Sequence, residues 1–184
     1  LPHAGALALL ASMPRVDAIW ANPLFQENLA AIEAAEAQRA YCRHGSSHLL
    51  DVARVAWIIN LEDSFGLARD VVYAAALLHD IGRAAEYSEG ISHDEAGAEI
   101  ARRILGTVVP EQRFSSAEAD AIVEAVRGHR ADDVDAVPRE LSSLSSRLVR
   151  VIAEADHRSR PCFACASRAT CYWSEEKKNM AVRI

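Results

Sequence analysis

Tyr73-Ala74-Ala75-Ala76-Leu77-Leu78-His79-Asp80-Ile81-Gly82 is the stretch on which the reading of this chain turns. An unbroken apolar run ends in an adjacent imidazole and carboxylate, and a glycine follows as a natural helix stop. Burying His79 and Asp80 at the tip of an apolar helix is costly unless a partner compensates them. Successive helical residues point about 100° apart, yet near a helix end both side chains reach a single ion. Two arrangements satisfy the pair: a shared divalent cation, or a plain His-Asp hydrogen bond at the helix terminus. Two residues alone do not choose between them.

Working outward, the chain reads as helices throughout. Asn22-Pro23 has the form of an N-cap followed by proline at the first helical position, and the breaker-free run behind it predicts a helix over 24–42. Leu49, Val52, Val55, Ala56 and Ile59 form one stripe and predict a helix over 48–60, with His48 at its start. A turn over 60–66 separates it from the helix of 68–81. Ser92 with Glu95 predicts a capping box opening a helix that closes at Gly106, before Pro110. Ser115 with Glu118 repeats the device, and the helix carrying Ile122, Val123 and Val126 stops near Gly128, just ahead of His129. Leu141, Leu144, Leu148, Val151 and Ile152 predict a last helix over 138–157. No segment alternates with period two and no repeat is present. The expectation is an all-α bundle of about six or seven helices.

His48 with Val52-Ala53, the run Leu77 to Gly82, and Ala155-Asp156 come in an order and spacing that resembles the HD superfamily of metal-dependent phosphohydrolases, over roughly residues 41–158. The resemblance implies an HD-domain helical bundle in a single domain: N-terminal helices over 1–42, an HD core over 43–158 and a cysteine-containing tail over 159–184. It also implies that His48, His79, Asp80 and Asp156 coordinate one ion. His93, followed by Ala96-Gly97-Ala98, and His129 resemble the extra ligands of HD proteins that hold two metals, with Asp80 bridging. The competing reading is that each merely caps a helix end. Mixed nitrogen and oxygen donors suit Fe, Mn, Co, Ni or Zn better than Ca. His3 and His157 lack such context and read as ordinary surface or boundary histidines.

A metal bound through these residues would lower the pKa of a coordinated water and offset charge on a phosphoryl oxygen, so phosphate-ester hydrolysis is the expected chemistry. Asp80 and Arg83 are the catalytic candidates; Arg83 adds a charged donor for phosphate or sits as a solvated helix-end cation. At 184 residues and 51% hydrophobic content the chain can bury a continuous core, and its net charge of -6 argues against a surface that grips nucleic acid in bulk. A small phosphorylated, nucleotide-like substrate fits better, because a bound cation supplies positive charge locally. The same ligands would also serve a di-iron oxygenase, or a nucleotide-sensing module with little turnover. The apolar stretch from Leu1 to Met13 has no Lys or Arg ahead of it and is too short to span a bilayer, so a cytoplasmic location without membrane partners is expected.

The cysteines are left over. Cys162, Cys165 and Cys171 lie in a tail with little helical pattern, and a Cys-x-x-Cys turn lets two thiolates face one ion. Cys42 is the candidate fourth ligand, with His44 as a substitute. The tail resembles the cysteine-bearing C-terminus of a subgroup of bacterial HD proteins. Four thiolates suit a structural zinc or an iron-sulfur cluster, and the sequence does not choose between these or inert free thiols.

Overall fold

The computed structural model describes residues 12–130 and 143–182, all of them helical or irregular with no strand. The expected helix start at Pro138, with Leu141, lies outside the described residues, as does His3. No helix among the described residues is long and apolar enough to cross a membrane.

The chain opens with α1 (Pro14–Trp20) and α2 (Pro23–Ala35), and Asn22 caps α2 by accepting from the Leu24 N–H at 3.0 Å. α2 ends seven residues before the expected Cys42. The breaker-free composition hid the cause: Glu36 is buried and turns its carboxylate back to accept from the backbone N–H of His44 at 2.6 Å and to meet that residue's ring at 2.5 Å. A side chain committed to a loop eight residues ahead stops the helix. α3 (Ser46–Glu62) follows, with the Glu33 carboxylate accepting from Ser46 N–H at 3.0 Å. Asn60, read as the start of a turn, stays in the helix and stitches the turn from inside: its amide accepts from Leu67 N–H at 2.9 Å and donates to Leu67 C=O at 3.2 Å.

α4 (Arg69–Leu78) is the centre of the bundle, packed by α1, α3, α7 and α8. Val71, Val72 and every residue from Ala74 to Leu78 are buried, which is why this segment reads as a continuous apolar run instead of a stripe. A short α5 (Arg83–Glu89), not foreseen, continues after Gly82 and ends at left-handed Gly90. α6 (His93–Thr107) begins at Ser92, but the predicted capping box is absent: the Ser92 hydroxyl donates to the Asp94 carboxylate two residues on. α7 (Ser116–Gly128) does carry its capping box between Ser115 and Glu118. α8 (Leu144–Arg158), capped by Ser143, lays Leu148, Val151, Ile152 and Ala155 into the core. Short 3₁₀ turns at Cys162–Ala164 and Arg168–Thr170 shape the tail.

Candidate metal centre

Five helix ends converge on one buried point. His48 sits in the first turn of α3, His79 and Asp80 directly follow α4, His93 opens α6, His129 follows α7 and Asp156 lies in the last turn of α8. After Leu78 the chain tightens into i→i+3 turns, with Ile81 N–H donating to Leu78 C=O at 3.1 Å and Arg83 N–H to Asp80 C=O at 3.0 Å. This tightening points His79 and Asp80 to the same side. Gly82 then passes so close to α6 that a Cβ there would lie 2.1 Å from the carbonyl oxygen of His93 and 2.4 Å from the nitrogen of Gly97. The missing side chain is what lets α6 bring His93 to Asp80.

The result is two adjoining sets of ligand atoms that share Asp80. In the first, atoms of His48, His79, Asp80 and Asp156 all lie within 4.8 Å of one another; in the second, Asp80, His93 and His129 do. On one side, Asp80 Oδ2 is 3.1 Å from His79 Nε2 and 3.5 Å from His48 Nε2, while Asp156 Oδ1 is 3.1 Å from His48 Nε2. On the other, Asp80 Oδ1 is 3.5 Å from His93 Nε2 and 3.6 Å from His129 Nε2. Ligand atoms about 2.1 Å from a common ion stand roughly 3.0–3.4 Å apart, so these spacings fit cation coordination.

Protonation makes the fit sharper. His79 Nδ1 lies 2.7 Å from Ala76 C=O and His129 Nδ1 2.7 Å from Val126 C=O; carbonyls only accept, so Nδ1 carries the hydrogen in both rings. His93 Nδ1 faces Glu86 at 3.0 Å, and His48 Nε2 accepts from the Arg160 guanidinium at 2.8 Å. In the neutral rings the inward Nε2 atoms of His79, His93 and His129 are therefore bare lone pairs, and that of His48 is met by the Arg160 guanidinium. They nevertheless face each other in pairs, His48 with His79 and His93 with His129, each at 3.3 Å. Asp80 Oδ2, fully buried, has no hydrogen-bond partner. An electron-rich hollow of this kind needs a cation, and the outer carbonyls and carboxylate fix the ring tautomers as ligand-orienting groups do.

The charges agree. Burial alone would raise the Asp80 carboxyl, but the imidazoles crowded around it, His79 first, hold it well below the usual carboxylate range. Asp156 is likewise pushed up by burial and more than recovered by His48, His79 and Arg160. His93 is lowered by burial and by the charge of Arg83. Arg83 donates from Nε to Asp80 Oδ1 at 2.7 Å and approaches Glu86 at 3.5 Å.

The sequence reading missed the groups around this point. Arg160 is buried, bonding His48, Asp156 at 3.0 Å and the carbonyl of Arg43 at 3.1 Å; its only sequence signal is its place one helical turn after Asp156. Glu86 came with the unforeseen α5. His44, considered as a substitute thiolate-site ligand, is engaged with Glu36, whose carboxylate also accepts from Tyr87. The three tail cysteines and Cys42 all line one cavity of about 580 Å³ that His48 and Arg160 line too. No three of the sulfurs, however, lie within 4.8 Å of one another. His157 sits apart, stacked on Trp173 at 5.4 Å.

A family model for the HD domain matches residues 45–160. An uncharacterized protein of Clostridium beijerinckii is 35% identical over 147 residues, covering 80% of this chain and 84% of its own length. Ribonuclease Y of Aquifex aeolicus is 30% identical over 94 residues, and the matched part is 14% of that protein. Among solved structures, a "predicted HD superfamily hydrolase" from an uncultured Thermotogales bacterium superposes with a TM-score of 0.54 at 26% identity, covering 84% of this chain and 81% of the other.

Proposed function

Because the chain belongs to the HD-domain family, we propose that it is a metal-dependent phosphohydrolase acting on a small phosphorylated, nucleotide-like substrate, with His48, His79, Asp80, Asp156, His93 and His129 holding two divalent ions. The observation that carries the reading is Asp80: each of its two oxygens faces a separate pair of inward imidazole nitrogens, and one of them is buried without a hydrogen bond. Bound divalent ions supply a nucleophilic water at neutral pH and offset phosphoryl charge. Nitrogen and carboxylate donors favour Fe, Mn, Co, Ni or Zn.

The protein's own groups then have defined tasks. Asp80 keeps the two halves of the cage together. Arg83 holds Asp80 Oδ1 through Nε and has further N–H groups for a phosphoryl oxygen. Glu86 keeps the His93 proton on Nδ1, away from the cage. Arg160, bonded to Asp156 and lying against His48, holds these two ligands in place on the side of the cage that faces the tail. Similarity to a predicted hydrolase supports a hydrolytic reaction, and similarity to a ribonuclease keeps a phosphodiester substrate within the class.

The test is elemental analysis followed by a panel of nucleoside mono-, di- and triphosphates, sugar phosphates and a short oligoribonucleotide, each with Mn, Co, Ni, Fe and Mg. Turnover of a small phosphate ester is expected, and Asp80→Ala should lose metal and at least about 10³-fold in activity together. Full metal occupancy in Asp80→Ala would refute the cage. Bound metal with no turnover of any phosphate would move the assignment to a di-iron oxygenase if O₂ is consumed, or to a nucleotide sensor if a nucleotide binds unchanged.

A further inference from the structure

The fold carries Cys42, 120 or more residues away in sequence, to the three cysteines of the tail. The Tyr41 hydroxyl donates to Thr170 C=O at 3.0 Å, the Ser167 hydroxyl to Ala40 C=O at 2.5 Å, and Arg160 to Arg43 C=O at 3.1 Å. The Tyr41 and Tyr172 rings meet edge to face at 6.0 Å. These contacts clasp the 40–43 segment against the tail, and the four free thiols all line the cavity between them. A hydrolase of this type has no use for four convergent thiols beside its cage. Simple packing does not explain them either: Cys162 alone is buried, and the other three are half-exposed to the same hollow.

We propose that Cys42, Cys162, Cys165 and Cys171 bind a [4Fe–4S] cluster in this cavity. The spacing favours a cluster over a lone ion. Four thiolates about 2.3 Å from one zinc stand roughly 3.8 Å apart, and such a set would draw at least three sulfurs close together. No three of these sulfurs lie within 4.8 Å, whereas the ligand atoms of the His/Asp cage do. A cubane sets four irons and four sulfides between its thiolates and so needs more room than one ion, and all four thiols line a single cavity of about 580 Å³. Four cations, Arg43, Arg160, Arg168 and Lys178, line the same cavity against three carboxylates, Glu33, Glu36 and Asp51, a small excess of positive charge in a chain of net charge -6.

The cluster is independent of the chemistry at the cage, and acid-labile sulfide separates the two, because the His/Asp site holds no sulfide. Full-length protein is purified without oxygen, or reconstituted with ferrous iron and sulfide, then assayed for iron, zinc, sulfide and visible absorption. About four sulfides per chain and a brown colour are expected. Cys165→Ser and, separately, Cys42→Ser should each lower sulfide at least about tenfold, while Asp80→Ala keeps it. Colourless wild-type protein that binds no sulfide after reconstitution overturns the proposal, and so does one tightly held zinc that Cys165→Ser or Cys42→Ser removes. Sulfide retained in Cys42→Ser overturns the assignment of that ligand.

Discussion

The His/Asp cage and the cysteine-lined tail lie against each other, joined by Arg160, yet they are built in opposite ways. Cage ligands sit on the ends of helices whose other turns form the core: Val52 and Ala53 behind His48, Ala74 to Leu78 behind His79, Ala98 and Ala101 behind His93, Val126 before His129 and Ile152 before Asp156. Apolar burial holds those helix ends whether or not an ion is present. Residues 161–182 bury one apolar side chain, Cys162, while Phe163, Tyr172, Met180 and Val182 are exposed. Their order rests on single hydrogen bonds and ring contacts, each worth about 1 kcal/mol or less. A site set in a core can wait for its ligand; a site set in a polar tail needs its ligand to hold it.

The contrast breaks most easily at Gly82, where the first of these designs is tightest. A methyl group there meets backbone atoms of α6, not the flexible tip of a side chain, so α5 and α6 must separate. Gly82→Ala should cost about 4 kcal/mol and displace His93 from Asp80, read as a lowered thermal midpoint and fewer metal ions per chain. An unchanged midpoint would mean that the cage does not depend on this close approach.

A paired truncation sharpens the comparison. Leu148, fully buried on α8 beneath the cage, should cost about 3 kcal/mol on replacement by Ala. Phe163→Ala, at a ring 40% exposed in the tail, should cost under about 1 kcal/mol by chemical denaturation. Equal costs would show that the tail has a packed core of its own.

The same division explains what could be read from the chain alone. The apolar runs and stripes around His48, His79, His129 and Asp156 fall where the helices do, because core-facing periodicity is written locally. The capping box at Ser115 is real, while the matching pattern at Ser92 is not, since a nearer acceptor, Asp94, takes the hydroxyl. Alanine-rich composition predicted that α2 would run on to Cys42; Glu36 stops it by bonding residues that are distant or in a loop, a nonlocal cause with no periodic signature. Arg160 and Glu86 were invisible for a related reason. A charged residue next to a helix end reads as solvated until the fold shows what it faces.

The smallest expected effect concerns Glu36, which stands where the two regions meet, bonded to the backbone and ring of His44 ahead of α3 and to Tyr87 of α5. Burial pushes its carboxyl up, but the hydrogen bonds from His44 and Tyr87 outweigh this and bring it to about 2 from an ordinary 4.5. A carboxyl whose folded value is depressed binds fewer protons folded than unfolded. Its stabilisation is complete above pH 4.5 and is lost as pH falls from there toward about 2. His44, lowered by burial from 6.5 to about 4, adds a loss of the same sign that begins at higher pH, between those two values. Glu36→Gln removes the carboxylate and with it the hydrogen bond that raises His44, so the difference in unfolding free energy between wild type and variant should be constant at neutral pH and shrink by about 1–2 kcal/mol below pH 4.5 as the network is lost. Urea titrations at closely spaced pH values measure it. A difference that stays flat down to the acid limit would mean that Glu36 is not held ionised by this network, and that the early end of α2 needs another cause.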